Sequence, residues 1–270
     1  MGLYSQNIIT KRKKAEQENI RRLIELNQIR KDLIIRVSHE LKTPLNAIYG
    51  ASQRLYEYLD NKFDTTLFKY VEIINRGGKR LKKLISDIID TSKIDYNKME
   101  LKREEDNVVD IIKESVEELI YFANQRKIFL NTDLPENLII KLDKIRIQQV
   151  ITNILSNAIK NTPSGGSINV KLFNTEEYVD ISIEDTGIGL TKEEISQLFK
   201  RFGKIERYGK SFGVDIEGSG LGLYISNEIV KMHNGEIMVT SKGRYKGAKF
   251  IIRLYRNHIN SHSLGGKSKL

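Results

Sequence analysis

The chain has 270 residues, 39% of them hydrophobic and 30% charged, with no cysteine, no tryptophan and three prolines. That length suits one large domain or two ordinary ones, and the lack of cysteine excludes disulfides, thiolate zinc sites, iron–sulfur clusters and thiol nucleophiles. Of the net charge of +10, most sits on residues 1–104, with 22 Lys and Arg against 14 Asp and Glu, but acids are mixed in and the interleaved aromatics of a nucleic-acid platform are missing, so no nucleic-acid partner is expected.

Residues 11–59 carry an almost unbroken helical pattern. Leu26 and Leu33 stand one heptad apart, and Ile34, Leu41, Ile48 and Leu55 continue at sevens, with Leu45 and Leu59 four further on. This is a bundle seam with one register shift. Asp60-Asn61-Lys62 breaks it, and a second helix is predicted over residues 66–94 from Ile74, Leu81, Leu84, Ile85, Ile88 and Ile89. Two long helices joined by a short polar loop form a hairpin that cannot enclose its own seam, so a homodimeric four-helix bundle is expected. Gly77-Gly78 costs about 1 kcal/mol per glycine relative to alanine, and close helix approach explains the pair better than a hinge. Basic charge near the chain start also suits a segment beside anionic lipid, although no apolar run approaches the roughly 20 residues of a membrane span and no cleavable signal pattern is present.

After about Met99 the texture changes. A helix ending near Asn124 is followed by a strand at 127–131, a turn at Pro135 and a short apolar run at 138–142. Residues 143–161 form a helix with Ile147, Val150, Ile151, Ile154, Leu155 and Ala158 on one face; residues 168–173 and 178–184 alternate as a hairpin. A helix begins near Leu221, and strands at 236–240 and 248–253 close a second hairpin. The expected fold is an all-α hairpin, residues 33–97, preceded by a coiled-coil helix, 1–32. A linker, 98–104, leads to an α+β sandwich, 105–256. The polar, glycine-containing residues 257–270 read as a disordered tail.

Asp185-Thr186-Gly187-Ile188-Gly189 follows a strand, and Gly218-Ser219-Gly220-Leu221-Gly222-Leu223 precedes a helix. Glycines let backbone amides approach a phosphate, and a helix N-terminus adds positive potential. Neither loop is a Rossmann fingerprint, and Gly266-Lys267-Ser268 lacks the earlier glycine of a P-loop, since Ser261 stands there. Asn153 and Asn157 share a helical face one turn apart, with Lys160 following. An amide oxygen can ligate Mg²⁺ together with a triphosphate, and a lysine one turn away can meet phosphate charge. An asparagine pair alone is more often a cap or solvated surface; its place between the glycine loops favours ligation.

Of four histidines, His258 and His262 fall in the tail and His233 near a helix end, where structural or solvated roles suffice. His39 stands in Ser38-His39-Glu40-Leu41-Lys42-Thr43-Pro44-Leu45. With Leu41 and Leu45 inside, it is expected on the bundle flank, where a neutral imidazole is a good nucleophile. Glu40 can orient the ring and take its proton. Pro44 removes the amide that would bond the Glu40 carbonyl and should bend the helix one turn past His39.

With these residues the chain resembles the sensor histidine kinases of bacterial two-component systems, over about residues 33–255. Residues 38–45 resemble the phosphoacceptor box and residues 81–94 the second helix of the dimerisation domain. Residues 149–160 resemble the N box, 185–189 and 218–223 the two glycine boxes, and Leu198-Phe199-Lys200-Arg201-Phe202 the F box. The resemblance implies the ATP-binding sandwich of gyrase, Hsp90 and MutL. It implies that His39 takes the γ-phosphoryl group of ATP with Glu40 as base or orienter. Asn157 would hold Mg²⁺, with Asn153 and Lys160 near the phosphates. Asp185 would accept from the adenine amino group, with Gly187 and Gly189 beside the base. Gly218, Gly220, Leu221, Gly222 and Leu223 would hinge a lid running from about 190 to 217 and face the phosphates. Thr43 would position water for dephosphorylating the partner, a response-regulator receiver domain.

Two positions depart from the family pattern. Asn161 stands where an aromatic commonly packs on the nucleotide, and Gly203-Lys204 where the lid commonly carries arginine, leaving Lys204, Arg207 and Lys210 as candidate phosphate cations. The localisation implied is cytoplasmic, either free or as the cytoplasmic portion of a membrane-bound sensor. A silent nucleotide-binding scaffold is disfavoured by intact His39, Glu40, Asn157 and Asp185. A DNA-acting ATPase is disfavoured by the phosphoacceptor box and hairpin.

Overall fold

A computed structural model describes residues 2–58, 65–95, 97–203 and 219–256, apart from certain side chains within the first two helices. The chain divides into two compact units, Met1–Ser86 and Asp87–Leu270. The expectations for the tail 257–270, the hairpin loop and residues 204–218, with Lys204, Arg207, Lys210 and Gly218, lie outside the described residues.

The first unit is built from α1, Gly2–Tyr58, and most of α2, Thr65–Asp95. Among the described residues no helix is long and apolar enough to cross a membrane. Pro44 lies inside α1 and is itself buried. Gly77 of α2 faces it: a Cβ there would lie 2.9 Å from Ile48 Cγ1 and 3.2 Å from the Pro44 carbonyl oxygen. Close approach thus accounts for Gly77, whereas Gly78 meets nothing within 4 Å. Arg80 reaches Glu40 at 3.8 Å, and the Arg54 guanidinium lies 5.9 Å from the Tyr70 ring centre.

Within the hairpin, Gly77 meets Pro44 and Ile48, and Ala51 and Leu84 are buried, while Leu41 and Leu45, expected inside a dimeric bundle, do not lie on that contact. Leu41 is half-buried and Leu45 is 56% exposed in the single chain. A pair of helices has one line of contact, so a second apolar stripe has nothing within the hairpin to pack on. Leu23, Ile24, Leu26 and Ile85 are exposed as well.

The second unit takes the last turns of α2 and all that follows. β1, Glu104–Asn107, pairs antiparallel with β3, Ile139–Leu142. β1 has no counterpart among the predicted elements, because Glu104-Glu105-Asp106-Asn107 offers no apolar alternation. α3, Val108–Gln125, is capped by Asn107, whose Oδ1 accepts from Val109 and Leu138 amides at 3.2 and 2.9 Å. α4, Lys144–Asn161, is capped by Asp143.

The remaining strands, β2 Phe129–Asp133, β4 Ser167–Asn174, β5 Tyr178–Asp185, β6 Gly235–Thr240 and β7 Ala248–Tyr255, form one sheet ordered β2-β4-β5-β7-β6. β2 runs parallel to β4 and starts two residues later than predicted; the other pairs are antiparallel, including both predicted hairpins. The alternating Ile168, Val170, Leu172 of β4 and Phe250, Ile252, Leu254 of β7 share one buried core with Ile147, Ile151, Ile154 and Leu155 of α4. On alternate positions, Arg253 makes two 2.8 Å bonds to Asp180 and stacks 3.7 Å from the Tyr178 ring centre.

α5, Lys192–Gln197, falls in the segment expected to be a mobile lid. Thr191 and Glu194 close a capping box around its start, and Leu190 and Leu198 are buried on either side. The first third of that segment is therefore folded onto the core. α6, Gly222–Met232, completes the helical layer.

Candidate functional site

α4 brings Asn153 and Asn157 to one face, and α6 meets it there. The Asn153 side-chain amide donates to Ser226 Oγ at 3.0 Å. Gly222, the first residue of α6, lies so close that a Cβ would overlap the Asn153 carboxamide. The second glycine loop is thus seated directly on the asparagine one turn before Asn157. Ser219 Oγ accepts from the Leu221 amide at 3.3 Å and Gly220 has φ +71°, so the loop turns tightly into the helix. Leu221 is fully buried, leaving only its backbone to face a ligand, and Leu223 is half-buried.

The other end of α4 meets the first glycine loop. The Asn161 carbonyl accepts from the Ile188 amide at 3.1 Å and abuts Gly187, while its side chain donates to the Asn157 carbonyl at 2.8 Å. That local bond is one use of Asn161, where the sequence suggested a missing aromatic. Asp185 is buried at the end of β5, with Oδ1 accepting from the Gly187 and Ala248 amides at 2.8 and 3.3 Å. Gly189 adopts φ +63° and faces the Gly243 carbonyl, an arrangement that excludes a side chain.

Ser226, Ser241, Gly243 and Gly247 escaped the sequence reading. Residues 241–247 join β6 to β7 and clasp the first glycine loop. Ser241 Oγ accepts from Leu190 at 3.0 Å and donates to the Gly247 carbonyl at 2.6 Å; Tyr245 and Gly247 amides bond the Ile188 and Gly187 carbonyls at 2.8 and 3.0 Å. The pair Gly243 and Gly247 was a visible turn signal, but its partner loop lies over 50 residues earlier in the chain.

Among the described residues no His, Cys, Asp or Glu cluster could hold a metal by itself. The Asn157 carboxamide has no hydrogen bond to a described residue, and a neutral oxygen there suits a hard cation that takes its remaining ligands from phosphate and water. The residues present therefore fit Mg²⁺ when it arrives with a triphosphate. Lys160, in the last turn of α4, is half-buried.

In the first unit, Glu40 is half-buried beside Arg80 and Thr43 is exposed on α1. His39 lies on the same helix, and its side chain is outside the described ones. His233 is buried and structural: Nε2 accepts from the Asp143 amide at 3.0 Å, while Nδ1 bonds the Ile229 carbonyl at 2.8 Å. These bonds fix the tautomer with the proton on Nδ1.

Two family models match the chain. Residues 29–97 match the His Kinase A (phospho-acceptor) domain, and residues 142–258 match the histidine kinase-, DNA gyrase B- and HSP90-like ATPase. A non-motile and phage-resistance protein of Caulobacter vibrioides is 34% identical over 80% of this chain and 26% of its own length. The sensor histidine kinase TmoS of Ectopseudomonas mendocina is 30% identical over 92% of this chain and 26% of its own. The chain thus spans about a quarter of these relatives. The fold is shared with histidine kinase ThkA, solved in complex with the response regulator protein TrrA: TM-score 0.62, 24% identity, 86% of this chain and 64% of that one.

Proposed function

The chain belongs to the sensor histidine kinases, and from that premise we propose that it is an ATP-dependent, autophosphorylating kinase whose phosphoacceptor is His39. The observation that carries the reading is the seating of Gly222 on Asn153, with Asp185 holding the first glycine loop at the far end of the same helix. Both glycine loops thereby adjoin the asparagine-bearing half of α4, which supports a nucleotide bound there. Asp185 suits the adenine amino group, Asn157 the Mg²⁺, and Asn153, Lys160 and the amides of Gly220, Leu221, Gly222 and Leu223 the phosphates. The metal, when bound with the triphosphate, supplies charge neutralisation.

In the transfer, an imidazole nitrogen of His39 forms a bond to the γ-phosphorus as the bond to the ADP oxygen breaks, and Glu40 accepts the imidazole proton. Arg80, across the hairpin, anchors the Glu40 carboxylate. Most of the catalysis is positioning and charge stabilisation. The phosphoramidate is then a donor to an aspartate of a receiver domain. Thr43, one turn past His39, is suited to position the water that attacks the regulator's aspartyl phosphate, releasing inorganic phosphate and the free carboxylate. A homodimer is supported by the exposed apolar stripe of Leu23, Ile24, Leu26, Leu45 and Ile85, and the ATP requirement places the catalytic unit in the cytoplasm.

The test is incubation with γ-labelled ATP and Mg²⁺ of the wild type, His39→Gln and Asn157→Ala, followed by acid and base. Acid-labile, base-stable label lost in both variants is expected; label persisting in His39→Gln would remove the assignment. Thr43→Ala is expected to spare labelling and slow dephosphorylation of the regulator.

A further inference from the structure

The last turns of α2 carry three carboxylates, which engage the start of α4, the second glycine loop and Arg201. Asp90 is buried and takes Arg146 at 3.0 Å and Gln149 at 2.9 Å, both in the first half of α4. Asp87, also buried, accepts from Ser219 Oγ at 3.1 Å, beside the second glycine loop. Asp95 takes the guanidinium of Arg201 through both oxygens, one bond being 2.8 Å, and lies 3.3 Å from the Tyr224 hydroxyl.

Arg201 is placed to matter for the nucleotide. It precedes Phe202-Gly203, whose backbone packs on Gly220 so closely that a Cβ there would lie 2.9 Å from Phe202. Its guanidinium bonds the Tyr224 hydroxyl at 2.8 Å and sits 4.8 Å from that ring's centre, in the first turn of α6 and two residues past Gly222. The guanidinium is therefore held at the end of the helix that the phosphates would face, with a carboxylate occupying its fork. Carboxylate and phosphate compete for the same bidentate geometry. The Asp95 pair is also the exposed member of the three, with side chains 36% and 28% accessible, against 22% and 7% for Arg146 and Asp90. An exposed pair is weak and screened by salt, so a polyanion can displace Asp95 where it could not displace Asp90.

We propose that Arg201 is the cation that meets the terminal phosphate of ATP, and that Asp95 is a positioning residue that holds it away until the triphosphate arrives. This rests on the nucleotide-site reading above and names a residue in front of the second F-box aromatic, not the later Lys204 or Arg207. Because α2 runs unbroken from Thr65 to Asp95, the helix that belongs to the hairpin also ends in the group that competes with the substrate.

The experiment is fluorescence titration of the full chain, in a His39→Gln background, with methylanthraniloyl ATP and ADP in the presence of Mg²⁺. Asp95→Asn is expected to tighten the ATP analogue about two- to fivefold, the range of an exposed ion pair, and to leave the ADP analogue unchanged. Arg201→Ala is expected to weaken the ATP analogue selectively and to make Asp95→Asn silent when the two are combined. An ATP affinity that is unchanged or weakened in Asp95→Asn, or ATP and ADP affinities that move together, would overturn the proposal. Binding does not require phosphotransfer, so failure of His39 to become labelled leaves this test intact. Failure of the His39→Gln protein to bind either analogue would remove both readings.

Discussion

His233 links the end of α6 to the cap of the asparagine-bearing α4, and its protonation state should therefore be felt in stability. Burial is the main cause that pushes the imidazole below its ordinary value, with the Ile229 carbonyl opposing. The folded ring stays neutral where the unfolded chain already takes a proton, near pH 6.5. Stability is then complete above about pH 6.5 and falls as the pH drops below it, by at most about 1.4 kcal/mol per pH unit for one proton, until the folded ring itself titrates. His233→Leu keeps most of the volume but leaves the buried Asp143 amide without its 3.0 Å acceptor; the Ile229 carbonyl keeps the His233 backbone amide at 3.1 Å. The expected cost at pH 8 is about 2–3 kcal/mol, or roughly 4–12 °C in melting temperature for a unit of this size. Thermal melts followed by circular dichroism at pH 8, 7, 6 and 5.5 should show the two proteins converging as the pH falls, because only the wild type carries the acid penalty. Parallel curves across that range would refute the reasoning.

Gly222→Ala should weaken nucleotide binding tenfold or more in a titration, while changing the melting temperature little, because the added methyl meets the end of the Asn153 side chain and not backbone. Gly77→Leu should destabilise the hairpin by about 1–3 kcal/mol through overlap with Ile48 and the Pro44 carbonyl. The neighbouring Gly78→Ala, facing open space, should stabilise it by up to about 1 kcal/mol, and helicity melts separate the two. Asp180→Ala, which strips Arg253 of both its bonds on the partly covered face of the sheet, should cost about 1–3 kcal/mol in denaturant unfolding, with Asp180→Asn costing less.

Much of the fold was present in local pattern. The two long helices, α3, α4, α6 and both hairpins follow from apolar period and turn residues, since each buries one face on a single core and the spacing of that face is set by backbone geometry. Elements whose stability comes from partners left no such trace. β1 is a polar tetrapeptide that becomes a strand only because β3 is beside it, and the parallel match of β2 to β4 depends on the register Phe129 to Ser167 rather than on composition. α5 was written in Thr191-Lys192-Glu193-Glu194, a capping box overlooked inside a segment expected to be a lid.

For the site, the residue types and their order along the chain were determined by the sequence: the asparagine pair, the acid before the first glycine loop and the second glycine loop are short-range signals tied to chemistry. What tertiary structure alone decided is which groups already have partners. Asn153 is bonded to Ser226, Asp185 to two amides, and Arg201 to an aspartate 106 residues earlier in the chain. Hydrogen bonds and ion pairs form between groups that packing brings within about 3 Å, and no local pattern encodes that distance between residues so far apart in the chain.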